Sequence, residues 1–312
     1  MSFSHDARNE IARIIPEKRC CQIAELSALV GMRADISPNR DGVLTLYTTM
    51  ENAAQARKAY TLLKDTFGLS STVHILQKKR FKKSRIYRVE TPLDSAEGSV
   101  LLQELGQLGS EIKRQVHWKA IRKNCCKRAF LRGVFTSSGF VNRPEGNYHL
   151  EIVFNDSRMA ADVLKVMNKL DLDARLTERK NNLLIYIKES ERIVDFLRLV
   201  EASNALLDFE NVRIIKSMRN QVNRQVNCET ANLGKTIDAS VRQVEMIKRI
   251  VARVGVKGIS PHLRELAMLR LDHPDSSLKE LGLMLDPPLT KSGVAYRMAK
   301  LEKVSDTIDQ LE

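Results

Sequence analysis

Two kinds of hydrophobic periodicity alternate along the first two thirds of the chain. Apolar positions at helical spacing cover residues 20–30, and alternating apolar and polar positions follow over Val43–Thr49. The first pattern is typical of an amphipathic helix and the second of a half-buried strand. Later helices are predicted over about 53–67 and 158–170. Further strands are predicted over Thr72–Leu76, Arg85–Thr91, Tyr148–Phe154, Ala174–Thr177 and Leu183–Lys188.

The same succession of patterns occurs twice. The pair Cys20-Cys21 returns as Cys125-Cys126, 105 residues later, and the helices and strands that follow keep that offset. An offset shared by several elements indicates an internal repeat. We therefore predict two copies of an α-β-β-α-β-β unit, over about 15–95 and 120–200, within one domain that covers about 1–210.

Mostly small side chains recur every four residues on the first helix of each copy, at Ala24, Ala28 and Met32 and again at Ala129, Gly133 and Ser137. Such a row lets two helices approach closely. We expect the two repeat helices to pack together about a pseudo-two-fold axis, with the two sheets forming one saddle. The predicted fold class is α+β for this part, followed by an all-α helix-turn-helix domain.

Beyond about Ser203 the periodicity is helical only. A helical connector is predicted over about 211–258, with its last helix ending near Gly255. Within it, an asparagine stripe on one helix face predicts either packing against the first domain or contacts with DNA, helped by two arginines. These residues are Asn220, Asn223, Asn227, Arg219 and Arg224.

Three helices are predicted in the segment of about 259–312. Ser260-Pro261 opens the first, the capping box Ser277–Glu280 opens a short second one, and Thr290 caps the third. A short second helix before a tight turn predicts a helix-turn-helix, and the alternative is an ordinary three-helix packing unit.

One face of the third helix is apolar and the other is polar. Val294, Met298 and Leu301 are expected to point inward. The opposite face carries the donors and cations that base edges and phosphates require. We expect DNA contacts from Lys291, Ser292, Tyr296, Arg297, Lys300 and Lys303.

The charge balance favours a polyanionic partner. The 312 residues include 51 Lys and Arg against 38 Asp and Glu, a formal net charge of +13, which indicates nucleic acid before a merely basic enzyme. Seven cations crowd residues 78–88, between two predicted strands. This segment is either a phosphate-binding hairpin or a solvated loop. Its candidate phosphate contacts are Lys78, Lys79, Arg80, Lys82 and Lys83.

Other classes of protein receive no support. No apolar run approaches the roughly 18 residues of a membrane span, and the N-terminus lacks the pattern of a signal peptide, so we expect a cytoplasmic protein. The five cysteines are odd in number, and none of them has C-x₂-C spacing. We therefore expect the cysteine pairs to be core residues rather than metal or redox sites, and we predict no metal or cofactor.

The first helix of each copy resembles the LAGLIDADG motif of homing endonucleases, over Leu26–Ala34 and Leu131–Gly139. In those nucleases the eighth position of each motif is a metal-binding carboxylate. Here that position is Arg33 in one copy and Ser138 in the other, and neither replaces a carboxylate as a ligand of a hard cation. Asp35 lies two residues further on, without a counterpart in the second copy. The resemblance therefore implies a nuclease fold without catalysis.

The order of the two parts is similar to that in the WhiA family of bacterial regulators of sporulation and cell division. The most specific segments are Asn227–Leu233, Lys235-Thr236, Arg242-Gln243, Ser277–Gly282 and Leu289–Val294. The resemblance implies a nucleoid-associated, non-enzymatic transcription regulator that binds double-stranded promoter DNA. Another transcription factor or RNA polymerase is the further partner to consider. Two alternatives stay open: a residual endonuclease or maturase-type nucleic-acid binder, and a protein-interaction or chromosome-organising factor.

Overall fold

The computed structural model describes residues 2–77, 85–107, 111–180 and 182–309. The chain divides into two compact units, Met1–Ser217 and Met218–Glu312. The sequence predicts domain limits near 210 and 258, and these limits stay a prediction. No helix of the described part is long and apolar enough to cross a membrane.

The first unit contains the predicted repeat twice. The first copy comprises α2 (Arg19–Arg33), β1 (Ala34–Pro38), β2 (Leu44–Met50), α3 (Ala53–Phe67), β3 (Thr72–Gln77) and β4 (Arg85–Pro92). The second copy comprises α5 (Asn124–Ser138), β5 (Gly139–Val141), β6 (Leu150–Phe154), α6 (Ser157–Asn168), β7 (Arg175–Arg179) and β8 (Asn182–Ile187). Additional helices are α1 (Phe3–Ala12), α4 (Ala96–Glu104) and α7 (Ser190–Leu199).

Each copy forms a four-stranded antiparallel sheet, in the orders β1-β2-β4-β3 and β5-β6-β8-β7. Identical strand orders confirm the predicted duplication and the α+β class. The sequence pattern did not locate the first strand of either copy, because β1 is mostly exposed and β5 has only three residues. A two-residue period needs a longer, half-buried run to be visible.

Helices α2 and α5 pack directly against each other, as the row of small residues predicts. Ala24, Ala28 and Ala129 are fully buried or nearly so. The backbone at Gly133 lies so close to α2 that a Cβ built there would be 2.7 Å from the carbonyl oxygen of Glu25 and 2.8 Å from the Cβ of Ala28. The absence of a side chain at this position therefore sets the spacing of the helix pair.

A buried ionic cluster crosses the helix pair. The Nζ of Lys58 forms an ion pair with Glu25, and both side chains are completely buried. Arg132 bridges to the other oxygen of Glu25 at 3.1 Å and to Glu201 at 2.6 Å. Lys58 also donates to the carbonyl of Ile11 at 2.7 Å. These mutual contacts offset the cost of burying the charges.

The second unit is helical and contains the end of α8 (Ser203–Gly258) with α9 (Pro261–Asp272), α10 (Leu278–Met284) and α11 (Lys291–Asp309). Helix α8 is continuous through the predicted connector and kinks at Gly255, where φ is 70° and where the sequence predicts the last helix of the connector to end. Met246, Ile247 and Ile250 lie in one core with the last three helices. The end of α8 is thus a fourth helix of this unit.

Candidate nucleic-acid interface

The start of α10 is fixed by the predicted capping box. The Ser277 hydroxyl accepts the backbone N–H of Glu280 at 3.3 Å, and the Glu280 carboxylate accepts the backbone N–H of Ser277 at 2.7 Å. The backbone and side-chain hydrogen bonds from Ser277 lower the pKa of Glu280, because they stabilise its ionised form. The predicted Ser260 cap is different: Pro261 begins α9, but no hydrogen bond from that helix reaches the Ser260 side chain.

The turn between α10 and α11 is a close backbone approach. The N–H of Leu289 donates to the carbonyl of Gly282 at 2.8 Å. A Cβ at Gly282 would lie 2.3 Å from the carbonyl oxygen of Leu289, so this position excludes any side chain. Thr290 then caps α11 as predicted, accepting the N–H of Gly293 at 3.3 Å. Two helices are therefore held in a defined helix-turn-helix arrangement.

The sequence did not single out Arg270, which organises the turn between α9 and α10. Arg270 is buried, and its guanidinium donates to the carbonyls of Pro274 at 3.3 Å and Ser276 at 2.5 Å. The hydroxyl of Ser240 also donates to Pro274. Because a helical arginine most often lies on the surface, nothing in the local pattern distinguished this buried one.

The inward face of α11 is confirmed: Val294, Met298 and Leu301 are buried. Most of the residues assigned to DNA on the opposite face are exposed, namely Lys291, Ser292, Tyr296, Lys300 and Lys303. The ring of Tyr296 is overlain by the ammonium of Lys300 at 4.7 Å from its centroid, which gives the face a combined aromatic and cationic surface.

Arg297 differs from the other residues of this face. It is half-buried, and its Nη1 donates to the carbonyl of His262 at 3.1 Å. This bond ties α11 to α9, so Arg297 has a structural role in the helical unit. Its contact with DNA stays a prediction.

The remaining predicted phosphate contacts lie elsewhere. Arg219 and Arg224 are exposed on α8, as are Asn220, Asn223 and Asn227. Lys78, Lys79, Arg80, Lys82 and Lys83 lie outside the described residues. The strands that flank them pair in antiparallel register, with Gln77 opposite Arg85.

The two nuclease-like positions lie at the ends of the helix pair, where Arg33 ends α2 and Ser138 ends α5. The Nε of Arg33 donates to the carbonyl oxygen of Ser137 at 2.9 Å, and its Nη2 forms an ion pair with Glu51 at 3.3 Å. A cation thus contacts the C-terminal end of α5, where the helix dipole is negative.

Arg114, which the sequence did not single out, contacts the C-terminal end of α2 in the same way. Its guanidinium donates to the carbonyls of Gly31 at 3.2 Å and Ala34 at 3.4 Å, and it forms an ion pair with Asp35 at 2.9 Å. Arg33, Arg114, Asp35 and Ser138 line one cavity of about 510 Å³. Two guanidinium groups therefore occupy the helix ends at which the nuclease motif has acids.

The fold and these contacts define the class of protein, a duplicated LAGLIDADG-like domain joined to a helix-turn-helix. Three family descriptions match in chain order: the WhiA N-terminal LAGLIDADG-like domain over residues 19–108, the WhiA LAGLIDADG-like domain over 127–219, and the WhiA C-terminal HTH domain over 222–305. The chain belongs to the WhiA family.

Relatives of full length share this family. The chain is 56% identical over 307 residues to a probable cell division protein WhiA of Syntrophomonas wolfei subsp. wolfei, with 97% of each chain covered. It is 45% identical to the protein of the same name from Heliobacterium modesticaldum, covering 99% of this chain and 98% of the relative. The crystal structure of full-length DUF199/WhiA from Thermatoga maritima matches with a TM-score of 0.60 at 23% identity, covering 98% and 99%, and shows the shared fold.

Proposed function

We propose that this protein is a transcription regulator that binds promoter DNA of cell-division and sporulation genes and does not cleave it. The observation that carries the proposal is the outer face of α11, which exposes Lys291, Ser292 and Tyr296 near its beginning and two further lysines beyond them. The second helix of a helix-turn-helix can enter the major groove of DNA when it exposes hydrogen-bond donors near its N-terminal end. The name of the relatives, cell division protein, agrees with this role.

The absence of nuclease activity is supported by the helix ends. A hard divalent cation requires oxygen ligands, and acids supply them in metal-dependent nucleases. Here Arg33 contacts Ser137, and Asp35 already forms an ion pair with Arg114. We propose that this centre is structural, and that the protein acts in the cytoplasm at the nucleoid, together with RNA polymerase or another transcription factor.

The test begins with chromatin immunoprecipitation of the full-length chain, followed by binding of the purified protein to the recovered sites. Lys291→Ala and Ser292→Ala are each expected to weaken binding by about 1–3 kcal/mol and to relax base preference. Lys300→Ala is expected to weaken binding to all sequences and to reduce the salt slope by about 0.9. Lys248→Ala, an exposed lysine on α8, is the matched control. Unchanged footprints in the α11 variants would contradict the proposal.

Cleavage is tested on the same recovered DNA. Purified protein incubated with Mg²⁺ or Mn²⁺ is expected to leave both strands intact. Strand scission that depends on the metal would contradict the non-nuclease part of the proposal while leaving promoter binding in place. Co-immunoprecipitation of RNA polymerase after nuclease treatment tests the protein partner separately.

A further inference from the structure

Four cysteine side chains from the two repeats meet at one point of the first unit. The sulfur atoms of Cys20, Cys21, Cys125 and Cys126 all lie within 4.8 Å of one another. The two sulfurs of the second pair are 3.9 Å apart. Cys21 and Cys126 are buried, and the other two are half-buried. The sequence favoured core positions, and its spacing did not reveal that the pairs converge.

The convergence follows from the repeat. Each pair lies in the first turn of its helix, and α2 and α5 are equivalent helices that pack against each other. Neither N-cap residue, Lys18 or Lys123, accepts a capping hydrogen bond through its side chain. Both pairs also adjoin cationic residues in the chain. Helix N-termini and neighbouring cations stabilise thiolate over thiol.

The spacing fits a single ion. With metal–sulfur distances of about 2.3 Å, a tetrahedral site places its sulfurs about 3.8 Å apart. The observed limit of 4.8 Å requires a contraction of about 1 Å. An iron–sulfur cluster holds several atoms between its thiolates, which requires a wider set of ligands. Four thiolates without an oxygen ligand favour a soft ion in a closed, structural site.

We propose that these four cysteines bind one zinc ion, which joins the two repeats at the beginning of the helix pair. Adjacent cysteines depart from the usual spacing of structural zinc sites, in which two or more residues separate the ligands of a pair. The pseudo-symmetry of the repeats makes up for this unusual spacing, because each helix contributes one adjacent pair of cysteines to a shared centre. The site lies on the same helix pair as Arg33 but at its opposite end.

The first experiment measures metal in the full-length protein, purified under reducing conditions without chelators. Elemental analysis is expected to find about one zinc per chain. Replacement with Co²⁺ is expected to give the visible and near-ultraviolet bands of a tetrahedral tetrathiolate. A protein that takes up no zinc and shows no such bands with added Co²⁺ would overturn the proposal.

The second experiment compares variants. The double variant Cys20→Ser with Cys125→Ser changes the two half-buried members and preserves the volume of each site. It is expected to lose the bound zinc and the cobalt bands. Cys228→Ser removes the exposed cysteine of α8 and is expected to keep about one zinc per chain. Equal zinc content in the double variant and this control would contradict the proposal.

A third measurement uses the unaltered chain, so that it does not depend on the folding of a variant. Alkylation is expected to be slow at the four cysteines and fast at Cys228 while zinc is bound, and a chelator is expected to accelerate it at the half-buried Cys20 and Cys125. Disulfides between the repeats, found by mass spectrometry in protein kept under reducing conditions, would overturn the zinc assignment.

Discussion

The guanidinium of Arg33, at the end of α2, donates from Nε to the carbonyl oxygen of Ser137 near the end of α5, at 2.9 Å. Arg114 forms the corresponding bond with Gly31 of α2 at 3.2 Å. Unpaired carbonyls at a helix C-terminus carry negative partial charge, which cations stabilise. The helix pair thus satisfies its own ends with internal cations.

Arg33→Ala is expected to destabilise the first unit by about 1–2 kcal/mol, because it removes a charged hydrogen bond and the ion pair with Glu51. The chain has a single tryptophan, Trp118, in the first unit, so its fluorescence during urea unfolding reports that unit. Arg40→Ala is the control, since this exposed arginine makes no hydrogen bond or ion pair with a described residue. Equal midpoints for the two variants would refute the capping role.

The repeat was predictable because its signals are local and occur twice. One offset of 105 residues relates the two cysteine pairs, the strands β2 and β6, and the two rows of small residues. Each of these features is a short-range pattern in the sequence. Contacts between residues distant in sequence have no such signal. Arg114 lies in a segment without regular secondary structure, and only the folded chain brings it to Gly31.

Gly133→Ala is expected to destabilise the first unit despite the intrinsic helix preference for alanine, which is worth about 1 kcal/mol. The new Cβ would meet the carbonyl of Glu25 at 2.7 Å, and that backbone has no room to retreat within the helix pair. A net loss of about 1–3 kcal/mol is expected by the same fluorescence measurement.

The control for this variant is Gly146→Ala, where the nearest atom to the added Cβ is the carbonyl oxygen of Arg143 at 3.7 Å, an ordinary contact. This change is expected to leave the midpoint almost unaltered. A Gly133→Ala protein that is as stable as the control would show that the helices can separate, and that small residues do not set their spacing.

Lys58 illustrates what periodicity does not reveal. On a helix of the usual amphipathic kind a lysine is expected at the surface, yet this one is fully buried against Glu25. The charges of Glu25 and Arg132 are also buried, and they come from different repeats. No single segment of sequence contains the reason for their burial, because each charge is compensated by a distant residue.

Removing one charge of this cluster is expected to lower the free energy of unfolding more than removing the Glu25–Lys58 pair together. Glu25→Gln leaves Lys58 buried without its counter-charge, for an expected loss of about 3–5 kcal/mol. Lys58→Met leaves Glu25 with Arg132 alone. The double variant is expected to be more stable than the sum of the two losses predicts, which a double-mutant cycle measures. Strict additivity would mean that the two side chains do not interact.

The Glu25→Gln variant also has an expected pH dependence. Burial lowers the pKa of Lys58 even with Glu25 present, which opposes that shift. Without the carboxylate the folded chain binds this proton less well than the unfolded chain, so stability rises with pH as Lys58 becomes neutral. The deficit of the variant relative to the unaltered protein should therefore shrink as the pH rises toward the ordinary lysine pKa of about 10.4. A deficit that is constant over this rise in pH would argue against an unpaired ammonium as its cause.

The capping box at α10 gives the second unit its own pH signature. The hydrogen bonds from Ser277 lower the pKa of Glu280, so its contribution is present above the unfolded pKa of about 4.3 and is lost as the pH falls through the lower folded value. Glu280→Gln is expected to melt at lower temperature than the unaltered protein at pH 7, and the difference should vanish toward pH 3, when calorimetry compares the two. Glu302→Gln, at an exposed residue of α11 that bonds to no described residue, is the control and should show no such convergence. A difference between the Glu280 variant and the unaltered protein that persists at pH 3 would indicate that the shape of the side chain, and not its charge, stabilises this end of the helix.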